Sequence, residues 1–520
     1  MAKSEPEPIA LDGPLREYRR KATFDWYKLK VFLEGEESVH FKERCYKILE
    51  KDALFERNWR SLTVDESREL NFKRWKKIME YAFIDENESI QSLLNSDNEN
   101  TYRLLDLLDI LEAYDQGLSA RFAVTRIGFF TTLLTLGTER HMPLLEKCIN
   151  NEIVGCFCLT ELAHGSNANQ IQTECHSATH AIVFAQLFLP NDSQSRGVHA
   201  FCVQIRDLVS LEPFDGVEIG DIGEKSGDWN GFENGWIKFN SYTNQRDQLS
   251  AMFGALSIGR IGIIGKGAVA TNLAAVISNL RVFARLVFLM EFKEALTREI
   301  HALSSATKAI STWAAVDCLS EARSACGGHG FLKCSRLNDL RDSFDAAQSF
   351  EGENNVLLQQ TAKILLSMLK QTEHLPETPL NSFAFLKRPP TAFSGWTHDI
   401  ITDVKHAYHW LIIYLAERSQ QKIDSNKASG MNETEAFNNA QPADYCKPLA
   451  VAYGERTMIG WCSDTVNQLA PSPLQDVLHQ ILVVYALFTI RKHIATLYIG
   501  WFSLILLSFD YLVMFRPICA

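Results

Sequence analysis

Apolar residues recur every three to four positions along most of this chain, and that period gives way to another between about Val154 and Ser250. A 3.6-residue period asks for amphipathic helices, whereas short runs rich in Val, Ile and Phe between turn residues ask for strands. Residues 101–137, TYRLLDLLDILEAYDQGLSARFAVTRIGFFTTLLTLG, are helical in pattern with few Gly or Pro breaks. HAIVFAQLFL, VHAFCVQI and WIKFNSY then read as strands, with the turn-rich GDIGEKSGDWNGFENG between the last two. Helical periodicity returns at Ala251 and runs to Ala325. It resumes after GGHGF, where Leu358, Ala362, Leu365 and Leu369 fall on one face. The fold class is therefore mainly α with a small β domain (α+β). The expected divisions are an N-terminal helical domain (1–153), a small β domain (154–250), a helical bundle (251–372) and a C-terminal helical domain (395–520). A Pro-rich linker precedes the last, and within it the polar stretch 419–445 reads as mobile.

Composition narrows the function classes. A net charge of −11 and no long Lys/Arg cluster exclude a nucleic-acid partner. Twelve scattered cysteines without a CxxC pair read as free thiols in a reducing compartment. The N-terminus is polar and lacks a signal-peptide core, so the sequons at Asn87, Asn191 and Asn432 read as chance. Residues 494–509 carry no charge, but Asp510 interrupts them; 494–515 reads as a terminal helix rather than a membrane span. No GxGxxG, phosphate-binding P-loop or GxSxG elbow is present. His176 and His180 have metal-like spacing but lie beside a strand-like run with no acidic partner, and read as surface histidines; no metal site is expected.

Three short stretches invite chemistry. In LTELAHGSN (159–167), Thr160, Ser166 and Asn167 gather around Gly165 where a helix passes to a strand. Such a loop either presents hydroxyls and N–H groups to a cofactor or is an ordinary turn. In ACGGHGF (325–331), paired glycines either admit a pyrophosphate or end a helix. In QSFEGENNVLLQQTAK (348–363), Glu351 and Glu353 flank Gly352 before a helix, where carboxylates also serve the helix dipole.

Taken together and in order, these stretches with GTERH, GDIGEK and LSIGR resemble the acyl-CoA oxidase family, and GPLREYRRKATFDW and NFKRW resemble its branched-chain (pristanoyl) members. The resemblance runs from the N-terminus to about residue 495. It implies an FAD-dependent enzyme, acting as a homodimer in the peroxisome, that dehydrogenates a fatty acyl-CoA to the trans-2-enoyl-CoA. A glutamate takes the α-proton, the β-hydrogen leaves as hydride to the flavin, and O2 becomes hydrogen peroxide. Carried over by motif, Glu351 is the base. Thr160 and Ser166 meet FAD, Gly327 and Gly328 approach the FAD of a neighbouring subunit, and Arg260 and Gly352 lie by the substrate. The chemistry agrees: a carboxylate with a pKa of about 4.3 is a weak base for a thioester α-proton, and burial against flavin and acyl chain would raise it. Glu353 reads as a first-turn acid.

The chain also departs from the family pattern. A hairpin block that packs on the flavin is missing between 175 and 176. An Arg-Arg-Gln-Phe-Gly segment and the helix after it are missing within the 280–300 region, and a shorter gap follows residue 250. The C-terminal Ser-Lys-Leu-type signal is absent, the C-terminal helical domain is truncated, and a cytosolic location is the alternative. These departures predict weakened FAD binding and low activity. A non-catalytic acyl-CoA-binding or interaction protein is the competing reading.

Overall fold

The computed structural model describes residues 16–84 except 59, 98–158, 178–187, 194, 196–240, 294–370, 375, 377–378, 380–390, 396–441 and 445–499. Two compact units divide the chain. One is built from His40–Asn272 and Thr312–Glu353, the other from Met1–Val39, Leu273–Ser311 and Asn354–Ala520. Neither is a continuous stretch of sequence, and the chain passes between them at Glu353–Asn354.

In the first unit, helices α1 (Val64–Tyr81), α2 (Asn98–Tyr114) and α3 (Gln116–Phe122) run into a π-helical turn at Ala123–Phe129 and then α4 (Phe130–Leu136). Their apolar stripes close a core around Trp75, Ile78, Leu107, Ile110, Leu111 and Leu118. α1 starts at a reciprocal cap: Glu66 N–H donates to Thr63 Oγ1 at 3.2 Å, and Thr63 N–H donates to Glu66 Oε2 at 2.9 Å.

The change of period at Val154 is a change of structure. β1 (Gly155–Cys158) pairs parallel with β2 (His180–Gln186), with Cys156 opposite Ala181. β2 pairs antiparallel with β3 (Val198–Gln204), with Ile182 opposite Cys202. Parallel pairing buries both faces, which explains the unbroken apolar run GCFC. Cys156 and Cys158 face Ala181, Val217 and Ile237, while Phe157 packs edge-on to Phe184 on the other side. β4 (Val217–Asp221) and β5 (Gly235–Phe239) form a separate antiparallel pair. All three strands read from the sequence are present, and His180 is buried at the start of β2. Burial lowers its pKa to about 4, so it is a core residue and not the surface histidine that its spacing suggested. No metal-binding cluster occurs among the described residues. The residues before the 159–167 loop form a strand rather than the helix expected there.

The long helix α5 (Glu294–Ala325) contributes to both units, and α6 (Leu337–Asp345) belongs to the first. The second unit carries α7 (Asn354–Leu369), α8 (Ile400–Ala428), α9 (Glu433–Asn438), α10 (Cys446–Asn467), α11 (Pro473–Ile490) and α12 (Ile494–Ile499). Leu358, Ala362 and Leu365 are fully buried on α7, as their spacing predicts. Glu455 of α10 is buried and accepts hydrogen bonds from Tyr408 Oη of α8 at 2.9 Å and His493 Nε2 at 2.8 Å.

The polar stretch expected to be mobile is largely helical. α8 continues to Ala428, and Asn432 and Glu435 cap α9 reciprocally. Asn426, itself buried, donates from Nδ2 to the Ala436 carbonyl at 2.9 Å. Polarity here marks a solvated helix face and its caps, not absence of structure. Pro473–Ile499 is long and apolar enough to cross a membrane, with a third of its most apolar window buried; 500–520 lie outside the described residues.

Candidate active site

Glu351 lies half-buried in a turn between α6 and α7. Ser349 and Phe350 N–H close back onto the Ala346 carbonyl at 3.0 and 3.2 Å. Glu351 then takes a left-handed backbone, φ +55°, and Gly352 follows at φ +106°. A left-handed glutamate is disfavoured by on the order of 1 kcal/mol or more, so its surroundings must hold it there. Glycine at 352 lets the chain leave that turn without a Cβ clash. Glu353 sits before the helix and the first turn of α7 has no acid, so it is not the first-turn carboxylate the sequence suggested.

Phe350 anchors the turn. It packs with Ala315, Leu319, Phe344 and Ala347, and its ring lies 5.4 Å from that of Trp229 at 65°. Trp229 comes from the loop between β4 and β5 and donates from Nε1 to the Ser343 carbonyl at 2.6 Å. Asp228 N–H donates to Ser343 Oγ at 2.9 Å. Gly227 has φ +56°, and a Cβ added there would lie 2.3 Å from Ser343 Oγ, so only glycine lets this loop meet α6 so closely.

The same helix holds the other expected site element. Asn338 Nδ2 donates to the carbonyls of Gly330 and Phe331 at 3.2 and 3.1 Å, fixing the turn that carries Gly327 and Gly328. Gly327 has φ +55°, both glycines are exposed, and no atom lies within 4 Å of a Cβ added at either. That open backbone fits the approach of a flavin cofactor's phosphates. Thr160, Ser166 and Arg260 lie outside the described residues. α6 thus ties Gly327–Gly328 at its start and Glu351–Gly352 at its end, all within one unit.

Beside Ser343, burial and the carboxylates of Asp115 and Asp339 push the Asp228 pKa up to about 8. Burial likewise raises that of Asp115, which accepts the Leu118 N–H of α3 at 2.9 Å. The Arg336 and Arg74 guanidiniums lie 3.8 Å from Asp228 and 3.7 Å from Asp115. Because Asp228 holds its proton in the fold but loses it at about pH 4 when unfolded, the native state binds more protons between about pH 4 and 8. Stability therefore falls as pH rises through that window. Asp228→Asn should flatten the decline, read as melting midpoint against pH; an unchanged slope contradicts this.

In the other unit, Lys308 is fully buried within α5 and donates from Nζ to Asn354 Oδ1 at 2.9 Å. Asn354 opens α7, and its Nδ2 donates to the Ala309 carbonyl at 3.5 Å. Sequence reading missed Lys308, Asn354, Ser343 and Trp229. A lysine inside the Ala-rich SSATKAIST was the one visible signal, since lysine is almost never fully buried without a partner.

Known proteins carry the same pattern. The family model "Acyl-CoA oxidase, C-alpha1 domain" matches residues 254–366, and "Acyl-CoA oxidase" matches 401–503. Acyl-coenzyme A oxidase acox-3 of Caenorhabditis elegans is 35% identical over 590 positions, covering 94% of this chain and 86% of its own. Peroxisomal acyl-coenzyme A oxidase 3 of Homo sapiens is 32% identical, covering 94% and 85%. Because 94% of 520 residues is about 490, roughly 100 of the 590 positions in the first comparison have no counterpart here. Among solved structures, acyl-CoA oxidase-2 of Caenorhabditis elegans, bound with FAD, ascaroside-CoA and ATP, superposes with a TM-score of 0.75 at 19% identity. The match covers 97% of this chain and 88% of that one. With relatives above 30% identity along nearly its whole length and the same helical architecture, the chain belongs to the acyl-CoA oxidase family.

Proposed function

We propose that this chain dehydrogenates a fatty acyl-CoA to the trans-2-enoyl-CoA, with Glu351 as the base that takes the α-proton and O2 as final acceptor. The observation that carries the reading is the left-handed Glu351–Gly352 turn, anchored through Phe350. A glutamate held in a left-handed backbone beside a glycine is the kind of strain that gathers at active sites. The chemistry that a bound FAD supplies is acceptance of the β-hydrogen with its electron pair, passed to O2 as hydrogen peroxide.

Thr160 and Ser166 would lie against the flavin, and in the dimer Gly327 and Gly328 would approach the neighbouring subunit's cofactor. Arg260 and Gly352 would border the thioester. Glu351 acts by receiving the α-proton on its carboxylate, and the turn's task is to keep that carboxylate at a fixed distance from the Cα–H bond. Positioning of this kind supplies much of the rate in proton abstraction. A homodimer in the peroxisome is part of the proposal, resting on the family resemblance and on the names of the relatives.

The roughly 100 unmatched positions support the expectation that flavin-contacting segments are absent and FAD is weakly held. They equally favour a second reading, a non-catalytic acyl-CoA-binding paralogue. The absorption spectrum separates these readings. After gel filtration the protein should carry well under one flavin per chain, and added FAD should restore the band and turnover. A stoichiometric flavin that survives filtration contradicts weak binding; no flavin uptake at any concentration contradicts the enzyme reading.

A further inference from the structure

The base is carried on the α6–α7 connection, yet the side chain that braces it comes from elsewhere. Trp229 lies more than a hundred residues upstream, in the loop between β4 and β5. Two features fix its indole. Nε1 donates to the Ser343 carbonyl at 2.6 Å, and the adjoining Asp228 N–H donates to Ser343 Oγ at 2.9 Å. A two-point tether leaves the loop little freedom to slide along α6. Close seating also requires Gly227, whose absent Cβ would overlap Ser343 Oγ. Ser343 is fully buried, so its carbonyl would lose a donor that water cannot replace.

With its polar edge fixed, the indole packs edge-to-face with Phe350 at 5.4 Å and 65°, and with Phe232 at 6.3 Å and 69°. Edge-to-face packing has a preferred geometry, unlike plain apolar contact. Phe350 is the residue immediately before Glu351, and the backbone turns left-handed one residue after the ring contact. Nothing in the local sequence favours a left-handed glutamate there, so the bracing must come from tertiary contacts of this kind.

We infer that Trp229 is a positioning residue: held by Ser343, it locks Phe350 and thereby the left-handed turn that aims Glu351. The inference rests on Glu351 being the base, and the test separates the two. Full-length Trp229→Ala, Trp229→Phe and wild type are compared by hydrogen exchange and, with FAD and an acyl-CoA supplied, by steady-state kinetics. In Trp229→Ala, exchange in 346–353 should rise at least about tenfold while 180–204, the β2–β3 pair, stays at the wild-type rate. The kcat should drop about 10²-fold with KM within about threefold, as expected when a reacting group is misplaced but the substrate still binds. Trp229→Phe keeps a ring against Phe350 and should recover most of both losses.

Unchanged exchange at 346–353 overturns the inference, as does a rise spread equally over 180–204. Should alanine prevent folding, Phe350→Leu carries the same expectation, because it keeps an apolar filler but removes the ring edge. If wild type shows no turnover yet Trp229→Ala loosens 346–353 alone, the brace stands and the catalytic reading falls. If turnover is present and Trp229→Ala leaves kcat unchanged, the brace falls alone.

Discussion

Glu351→Gln should leave the chain folded and reduce acyl-CoA dehydrogenation by about 10²–10⁴-fold, the usual contribution of a positioned general base. The substitution keeps the length and shape of the side chain and so preserves the left-handed turn at φ +55°. What it removes is the lone pair that accepts the α-proton, since an amide is not a base at any relevant pH. The melting midpoint should shift by no more than about 2 °C, and KM should hold because the amide still fills the same space. Glu351→Asp should be intermediate: the carboxylate remains, but retreats by about one methylene, and a displacement on the order of 1 Å is enough for a large loss. Glu353 gives the internal control. It precedes α7 outside any helical turn, and Glu353→Gln should alter turnover by less than about threefold.

Asn354→Ala should be the most destabilising single change near the site, by about 1–3 kcal/mol. Lys308 Nζ has no exposure, and its bond to Asn354 Oδ1 is 2.9 Å. Removing an acceptor from a fully buried lysine amine leaves its desolvation less compensated, a loss of about 1–3 kcal/mol. The sign can be checked by a second change. Lys308→Met with Asn354→Leu removes both polar partners and fills the space, and such paired replacements are often near neutral. Denaturant midpoints should place the double variant closer to wild type than Asn354→Ala. A double variant at or below the sum of its single changes contradicts a buried pair.

Much of the fold was legible because periodicity is a local property. The strands at His180–Gln186 and Val198–Gln204 and the buried face of α7 follow from spacing alone. The errors came where a residue's surroundings lie far along the chain. His180 looked like surface because strand β1, which pairs with it, ends more than twenty residues earlier. The stretch 419–445 looked mobile because its polar residues cap helices and line a wet face, a role composition does not distinguish from disorder.

The site shows the same divide. Glu351, Gly327 and Gly328 are singled out only by resemblance to family motifs, because their own residues read equally as a helix start and a helix end. Trp229 and Ser343 could not be named at all, because their roles depend on a loop from the β region reaching α6. Nor could the division into two discontinuous units, in which α5 is shared and one of the crossings falls at Glu353–Asn354, just after the proposed base.

The most direct test of Glu351 as the base of an oxygen-using acyl-CoA dehydrogenation is peroxide release. Purified full-length wild type and Glu351→Gln, each supplied with excess FAD and an acyl-CoA in air, are followed for hydrogen peroxide and trans-2-enoyl-CoA together. The wild type should form the two in equal amounts, and Glu351→Gln should form neither above background. A wild type that takes up flavin but releases no peroxide, or a Glu351→Gln variant that matches the wild-type rate, would contradict it.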